Sequence, residues 1–176
     1  MSKRRKKTRV RKSPPRRKAK ARGKVPFQAR GYHSVTPYLM VHDGVAAIGF
    51  YERAFGAREK VRMDAPGGKI GHAELVIGDS VVMLADEAPG MGGRSPRSIG
   101  GTSVGLMVYV RDVDAFIARA VAAGARITRP IEDKFYGDRA GSIEDPFGHS
   151  WYFATHTEEV SRAEMKKRMA KLFGGG

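Results

Sequence analysis

The stretch YLMVHDGVAAIGFYERAFGAR, residues 38–58, is repeated in outline as MVYVRDVDAFIARAVAAGAR at residues 107–126. Each copy has an apolar run typical of a strand, an aspartate, an amphipathic run typical of a helix, and the triplet Gly-Ala-Arg. Asp43 and Asp112 stand where a carboxylate can accept from the free N–H groups that begin a helix. The glycine after each helical run suits a helix C-cap. The repetition predicts a duplicated structural unit.

Three further strand-like segments follow each predicted helix. They are residues 58–64, 69–77 and 80–85 in the first copy, and 125–129, about 140–145 and 149–155 in the second. The predicted fold class is therefore α+β, with tandem β-α-β-β-β modules in a domain spanning 31–157. Module one covers about 33–87 and module two about 102–156.

Positive charge is concentrated at the N-terminus. The formal net charge is +15, and residues 1–30 contain 15 Lys and Arg with no Asp or Glu, so the rest of the chain is formally neutral. So few apolar residues cannot form a core, and we predict a disordered basic arm over 1–30. The arm is either a solubilising extension or a non-specific nucleic-acid contact. The residues assigned to phosphate contacts are Lys3, Arg4, Arg5, Lys6, Lys7, Arg16, Arg17 and Lys18.

Two segments lie outside the repeats. Residues 87–101 are rich in Gly, Pro and Ser and are interpreted as a linker, either plain or with a partial lid role. Residues 158–176 are predicted to form a C-terminal helix and a glycine tail, with a capping box from Ser161 to Glu164. The apolar stripe expected to dock on the body comprises Val160, Met165, Met169 and Leu172 or Phe173.

Composition excludes several classes of protein. Cysteine is absent, which excludes disulfide scaffolds, thiolate metal sites and cysteine nucleophiles. No apolar stretch approaches the roughly 20 residues of a membrane span, and no apolar region of signal-peptide type follows the first charges. We therefore expect a cytoplasmic protein with no membrane partner.

The combined motifs resemble the vicinal-oxygen-chelate superfamily, which includes glyoxalase I, bleomycin-resistance proteins and extradiol dioxygenases, and most closely its PhnB-like branch. The resemblance covers roughly residues 33–160. It rests on Val35–Val41, Ala47–Ala57, Gly71–Leu75, Gly78–Ser80, Phe135–Arg139 and Asp145–Trp151. It implies a glyoxalase-like fold, with sheets that curve around a ligand cavity between the modules, and a homodimer.

The resemblance also implies where metalloenzymes of the superfamily place their ligands. The corresponding positions here are Thr36, Gly105 and Tyr152, together with a position on the strand Val81–Ala85, which has no His, Asp or Glu. None of these is a usual ligand for a divalent metal. We therefore expect no cofactor at the usual positions, while a metal recruited elsewhere stays open.

Alternation along the strands predicts which side chains line the cavity, because neighbouring residues of a strand face opposite sides of the sheet. Trp151 and Phe153 are predicted to face the opposite layer. The predicted cavity-lining residues are Thr36, Tyr38, His72, Glu74, Met107 and Tyr152. A mostly apolar hollow with a few polar groups is typical of a small-molecule site.

His72 and Glu74 are the candidate catalytic residues. A histidine beside a carboxylate can act as an acid/base pair or contact a ligand. The pair can equally be structural, or hold a metal at an unusual position. Elsewhere, we interpret His42 as exposed, Asp138 with Arg139 as a local ion pair, and His156 as pairing with Glu158 or Glu159.

Three functions follow from these interpretations. The first is a protein that binds a small organic molecule in the cavity without a metal. The second is an enzyme of the superfamily, either a lyase or isomerase or of dioxygenase type. The third is an oligomeric platform whose basic arm binds nucleic acid non-specifically.

Overall fold

The computed structural model describes residues 25–173. The eight arm residues assigned to phosphate contacts, between Lys3 and Lys18, lie outside the described residues. No helix in the described part combines the length and apolar character needed to cross a membrane.

The first module is a β-α-β-β-β unit, as predicted. Its elements are β1 Tyr38–Val41, α1 Gly44–Phe55, β2 Arg58–Ala65, β3 Lys69–Ile77 and β4 Ser80–Asp86. The strand order is β1-β4-β3-β2. β1 runs parallel to β4, whereas the other neighbours are antiparallel.

The second module repeats this topology. Its elements are β5 Gly105–Tyr109, α3 Val113–Ala122, β6 Arg126–Asp133, β7 Asp138–Glu144 and β8 Ser150–His156, and the strand order is β5-β8-β7-β6. The predicted α+β class and duplicated architecture are confirmed.

The predicted N-caps are confirmed in both modules. Asp43 accepts a hydrogen bond from the backbone N–H of Ala46, and Asp112 accepts one from Ala115, each at 3.0 Å. The C-terminal ends of the helices differ. Gly56 caps α1 in the left-handed conformation with φ 65°, whereas α3 is capped by a right-handed Ala123.

One aromatic core joins the two modules. Phe55 on α1 packs edge-on against Trp151 and Phe153 of β8, with ring centroids 4.9 and 5.2 Å apart. It also stacks on Phe116 of α3 at 5.7 Å. Trp151 and Phe153 are fully buried, as strand alternation predicted. The two helices therefore lie between the sheets, and each sheet turns its apolar face inward.

This packing makes the opposite faces of the two sheets point away from each other. Leu75 of β3 faces the core, so its neighbour Glu74 faces outward. Trp151 faces α1, so Tyr152 points away from the first module. We call the outward surface of the first sheet, which carries Tyr38, His72 and Glu74, the first open face. The outward surface of the second sheet, which carries Met107 and Tyr152, is the second open face. A single chain therefore does not gather the six predicted cavity residues around one cavity.

The segment between the modules is more ordered than a plain linker. It contains a 3₁₀ turn at Pro89–Met91 and the short helix α2 at Pro96–Ile99. Glu87 accepts hydrogen bonds from the Ser95 backbone N–H at 2.9 Å and from the Ser98 hydroxyl at 2.6 Å. These bonds lower the pKa of Glu87 to about 2, with the Ser98 hydroxyl the main cause.

The C-terminal helix α4 spans Arg162–Phe173, and the predicted capping residue Ser161 accepts from the Glu164 backbone N–H at 3.2 Å. The expected docking of its apolar stripe is wrong for Met169 and Leu172, which are 48% and 61% exposed. Val160 and Met165 of the stripe are half-buried, and Arg168 donates to both carboxylate oxygens of Glu158 and to the Phe135 carbonyl.

Candidate functional site

Three predicted site residues meet on the first open face. The Tyr38 hydroxyl lies 2.9 Å from His72 Nδ1, and His72 Nε2 lies 3.3 Å from Glu74 Oε1. β1, β3 and β4 place these side chains on one surface because their register brings Tyr38 and Glu74 to either side of Met83. The alternation argument therefore grouped this half of the site correctly.

Two residues that sequence reasoning missed complete the cluster. The Tyr32 hydroxyl donates to Glu74 Oε2 at 2.5 Å, and Lys60 Nζ lies 3.1 Å from the same oxygen. The Lys60 ammonium also lies over the Tyr32 ring, 3.5 Å from its centroid. Tyr32 precedes β1, and Lys60 stands at a register shift of β2, so simple alternation does not assign either to this face.

The hydrogen bonds in this cluster hold Glu74 ionised. Burial raises the pKa of Glu74, but hydrogen bonds from Tyr32, Lys60 and His72 outweigh burial and leave the pKa below its ordinary value. The carboxylate accepts from His72 Nε2, which leaves Nδ1 to interact with the Tyr38 hydroxyl. Both ring nitrogens are therefore already engaged.

Replacing Tyr32 with phenylalanine should raise the pKa of Glu74, because one of the bonds that stabilise the ionised form is lost. In the native protein, a lowered pKa gives stabilisation that is present above the ordinary carboxyl value and is lost as pH falls through the folded value. Carbon-detected NMR of the Glu74 carboxyl measures the midpoint. Tyr136→Phe, on the second module, is the control, and an unchanged midpoint in Tyr32→Phe would contradict the assignment.

The second open face carries Met107 and Tyr152. A Cβ built on Gly105 would lie only 2.1 Å from Tyr152 Cε2, so the tyrosine ring occupies the space that a side chain at residue 105 would need. Arg129 lies on the same face, with its guanidinium 6.0 Å from the Tyr152 ring centroid. This surface is aromatic and cationic, whereas the first open face is centred on a carboxylate.

A second polar cluster lies at the end of the same sheet. Buried Asp138 accepts from the Tyr109 hydroxyl at 3.0 Å and pairs with His156 Nδ1 at 2.7 Å. The Asp138 hydrogen bond, opposed by partial desolvation, raises the pKa of His156 above its ordinary value. The predicted local pair of Asp138 with Arg139 is wrong, because Arg139 is paired instead with Asp114 at 2.7 Å and with a second carboxylate.

The contacts of three histidines away from the Glu74 cluster are also defined. His42 was interpreted as exposed, but it is half-buried and packs against Phe147 with ring centroids 5.4 Å apart. The predicted pairing of His156 with Glu159 is present at 3.4 Å. His149 Nε2 donates to the Met40 carbonyl at 3.0 Å and so ties the second module to β1.

The residues at the metal positions implied by the resemblance do not fit a divalent metal. Thr36 lies before β1 and donates to the His33 carbonyl at 3.1 Å. Gly105 has no side chain, and Tyr152 fills the space over it. Within residues 25–173 no group of three or more His, Cys, Asp or Glu could hold a metal ion.

Three concave spaces of the described residues lie near the predicted site residues. A cleft of about 520 Å³ between the sheets is lined by Ile77 and Val82 on one side and by Leu106 and Val108 on the other. Neither His72 nor Glu74 lines it. A second space of about 370 Å³ lies beside β1 and the inter-module segment. A third, of about 120 Å³, lies between Arg129 and Tyr152.

Comparison with known families fits this duplicated architecture. The family model described as "Glyoxalase/Bleomycin resistance protein/Dioxygenase superfamily" matches residues 31–153. The chain belongs to this superfamily. The match covers the first module and the second as far as Phe153 in β8, and it leaves the basic arm and α4 outside.

Named relatives extend the comparison. An uncharacterized protein of Mycobacterium tuberculosis is 44% identical over 145 residues, which cover 81% of this chain and 85% of that protein. The crystal structure of TioX from Micromonospora sp. ML1 is 34% identical with a TM-score of 0.56, covering 69% of this chain and 96% of TioX. An Arabidopsis thaliana structure is 28% identical with a TM-score of 0.57, covering 70% of this chain and 98% of that one.

Proposed function

We propose that this protein binds a small organic molecule between the first open face of one copy and the second open face of another. The observation that carries the proposal is that the two open faces of one chain point apart and leave aromatic side chains uncovered. Tyr38 is 45% exposed and Tyr109 is 63% exposed. Uncovered aromatic surface on opposite sides of a chain favours a second copy as the missing wall.

The two faces offer complementary parts of a ligand site. The first open face supplies a hydrogen-bonded polar cluster around Glu74, and the second supplies Met107 and Tyr152. Ligand cavities combine apolar and aromatic walls with a few fixed polar groups. Pairing two copies in this way would reunite Tyr38 and His72 with Met107 and Tyr152.

The hydrogen bonds already made by His72 and Glu74 favour ligand binding over catalysis. His72 has both ring nitrogens engaged, and Glu74 is held in its ionised form, so neither is free to donate or remove a proton without breaking an existing bond. A lyase, isomerase or dioxygenase-type activity is the alternative. The PhnB-like branch is the assignment within the superfamily that the sequence motifs favour.

Bleomycin is the first probe, because the family description names resistance to it. Full-length protein in EDTA is expected to sediment as a dimer, and its melting temperature should rise by about 5 to 10 °C at a hundredfold excess over Kd. Tyr38→Phe and His72→Ala should each reduce the rise, while Lys166→Gln on α4 should not.

A monomer that bleomycin does not stabilise would contradict the proposal. Turnover of a substrate that disappears in His72→Ala would favour the enzyme instead. Because the measurements are made in chelator, a stabilisation that persists there does not depend on a bound metal.

A further inference from the structure

Arg129 is the cation of its neighbourhood that has no acidic partner in residues 25–173. Its strand neighbour Arg126 pairs with Glu144 at 3.1 Å, and Lys134 pairs with Glu132 at 2.9 Å. No carboxylate of the described chain lies within 4.0 Å of the Arg129 guanidinium, although β6 places it opposite Ser142 on the second open face. The N–H groups of an arginine in this situation can donate two parallel hydrogen bonds to the carboxylate oxygens of a ligand.

An aromatic wall lies beside this arginine. Arg129 and Tyr152 line the same space of about 120 Å³, together with Lys134, Tyr136 and Ser142. The Tyr152 ring packs over Gly105, where a Cβ would lie 2.1 Å from its Cε2 atom. A tyrosine ring beside a guanidinium that has no acidic partner presents a flat apolar surface about 6.0 Å from a cation.

The cation of the Glu74 cluster on the other half of the proposed cavity is already engaged. On the first open face, the Lys60 ammonium is paired with Glu74 at 3.1 Å and also packs on the face of the Tyr32 ring. Lys60 is therefore not available to a negatively charged ligand unless its bond to Glu74 breaks.

We propose that Arg129 binds the carboxylate of an aromatic acid whose ring lies against Tyr152. This assignment rests on the proposed function, because it takes the second open face as one wall of the ligand cavity. It adds the chemical class of the ligand, a planar aromatic acid. Ser142, whose hydroxyl is hydrogen-bonded to the Thr128 hydroxyl at 2.9 Å, and Lys134, which is paired with Glu132, line the same space.

The test uses full-length protein with two probes of the same shape, 2-naphthoate and the neutral 2-naphthamide, followed by amide NMR. Naphthoate is expected to shift the amides of Arg129, Ser142 and Tyr152 and to bind about tenfold or more tightly than naphthamide, since a hydrogen bond to a charged group is the difference. Arg129→Gln should erase this preference. Arg129→Lys, which keeps the charge without the fork, should keep part of it.

Arg126→Gln is the matched control, because it removes a paired arginine from the same strand. Equal binding of the two probes, or an equal loss in Arg126→Gln, would overturn the assignment. Inorganic phosphate that binds at these amides as tightly as naphthoate would also overturn it, since the ring would then contribute nothing. If bleomycin stabilises a dimer while naphthoate shows no preference, the anion assignment fails and the proposed function stands.

Discussion

Replacing Asp145 with alanine is expected to lower the free energy of unfolding by about 3 to 5 kcal/mol. The carboxylate is buried, and Oδ2 accepts from the Tyr51 hydroxyl at 2.7 Å and from Trp151 Nε1 at 2.8 Å. Oδ1 accepts from the backbone N–H groups of Phe147 and His149. Each buried donor left without a partner costs about 1 to 3 kcal/mol, so the loss of four acceptor contacts has a large effect.

The same carboxylate connects the modules, because Tyr51 belongs to α1 and Trp151 to β8. Burial, followed by the nearby Asp145, raises the pKa of Tyr51 well above its ordinary value, so the hydroxyl stays protonated and donates. Tyr51→Phe removes one donor and leaves the other three bonds, so its cost should be smaller, about 1 kcal/mol. Asp79→Asn, at an exposed turn, is the control.

Urea unfolding followed by far-ultraviolet circular dichroism measures these differences. A loss below about 1 kcal/mol in Asp145→Ala would show that water or a shifted neighbour satisfies the donors. The order expected is Asp145→Ala, then Tyr51→Phe, then Asp79→Asn.

Replacing Phe55 with alanine is expected to cost about 3 to 5 kcal/mol, the range for large aromatic residues in a close-packed core. Phe55 is buried, and its ring contacts Trp151, Phe153 and Phe116 of the other module as well as Phe50 on its own helix. The cavity would open at the boundary of the two modules. Both modules should therefore lose stability together.

Hydrogen exchange of backbone amides tests this coupling. In Phe55→Ala, the free energy of protection of the β3 and β8 amides should fall by the same amount, because both strands pack against the shared core. Val45→Ala, on the exposed side of the same helix, should cost less than about 1 kcal/mol and serves as the control. Unchanged protection of β8 would mean that the second module is stable without the first.

Half of the candidate site could be predicted from the sequence, and the reason is geometric. Tyr38, His72 and Glu74 share a face because alternation along a strand is a local property. Tyr32 and Lys60 were missed, because one lies before the first strand and the other at a register shift. A residue that lies outside the strands has no place in the alternating pattern, and a shift of register interrupts that pattern.

The sequence by itself determined the duplicated β-α-β-β-β units, the capping aspartates and the inward faces of β1, β3, β5 and β8. Repeat spacing, caps and alternation depend on neighbours a few residues apart, so they can be read along the chain. Only the tertiary structure decided that the two open faces point apart, that Tyr152 covers Gly105, and that Asp145 bonds to Tyr51. These features depend on how two helices pack between two sheets, which brings together residues that are far apart in sequence and share no local pattern.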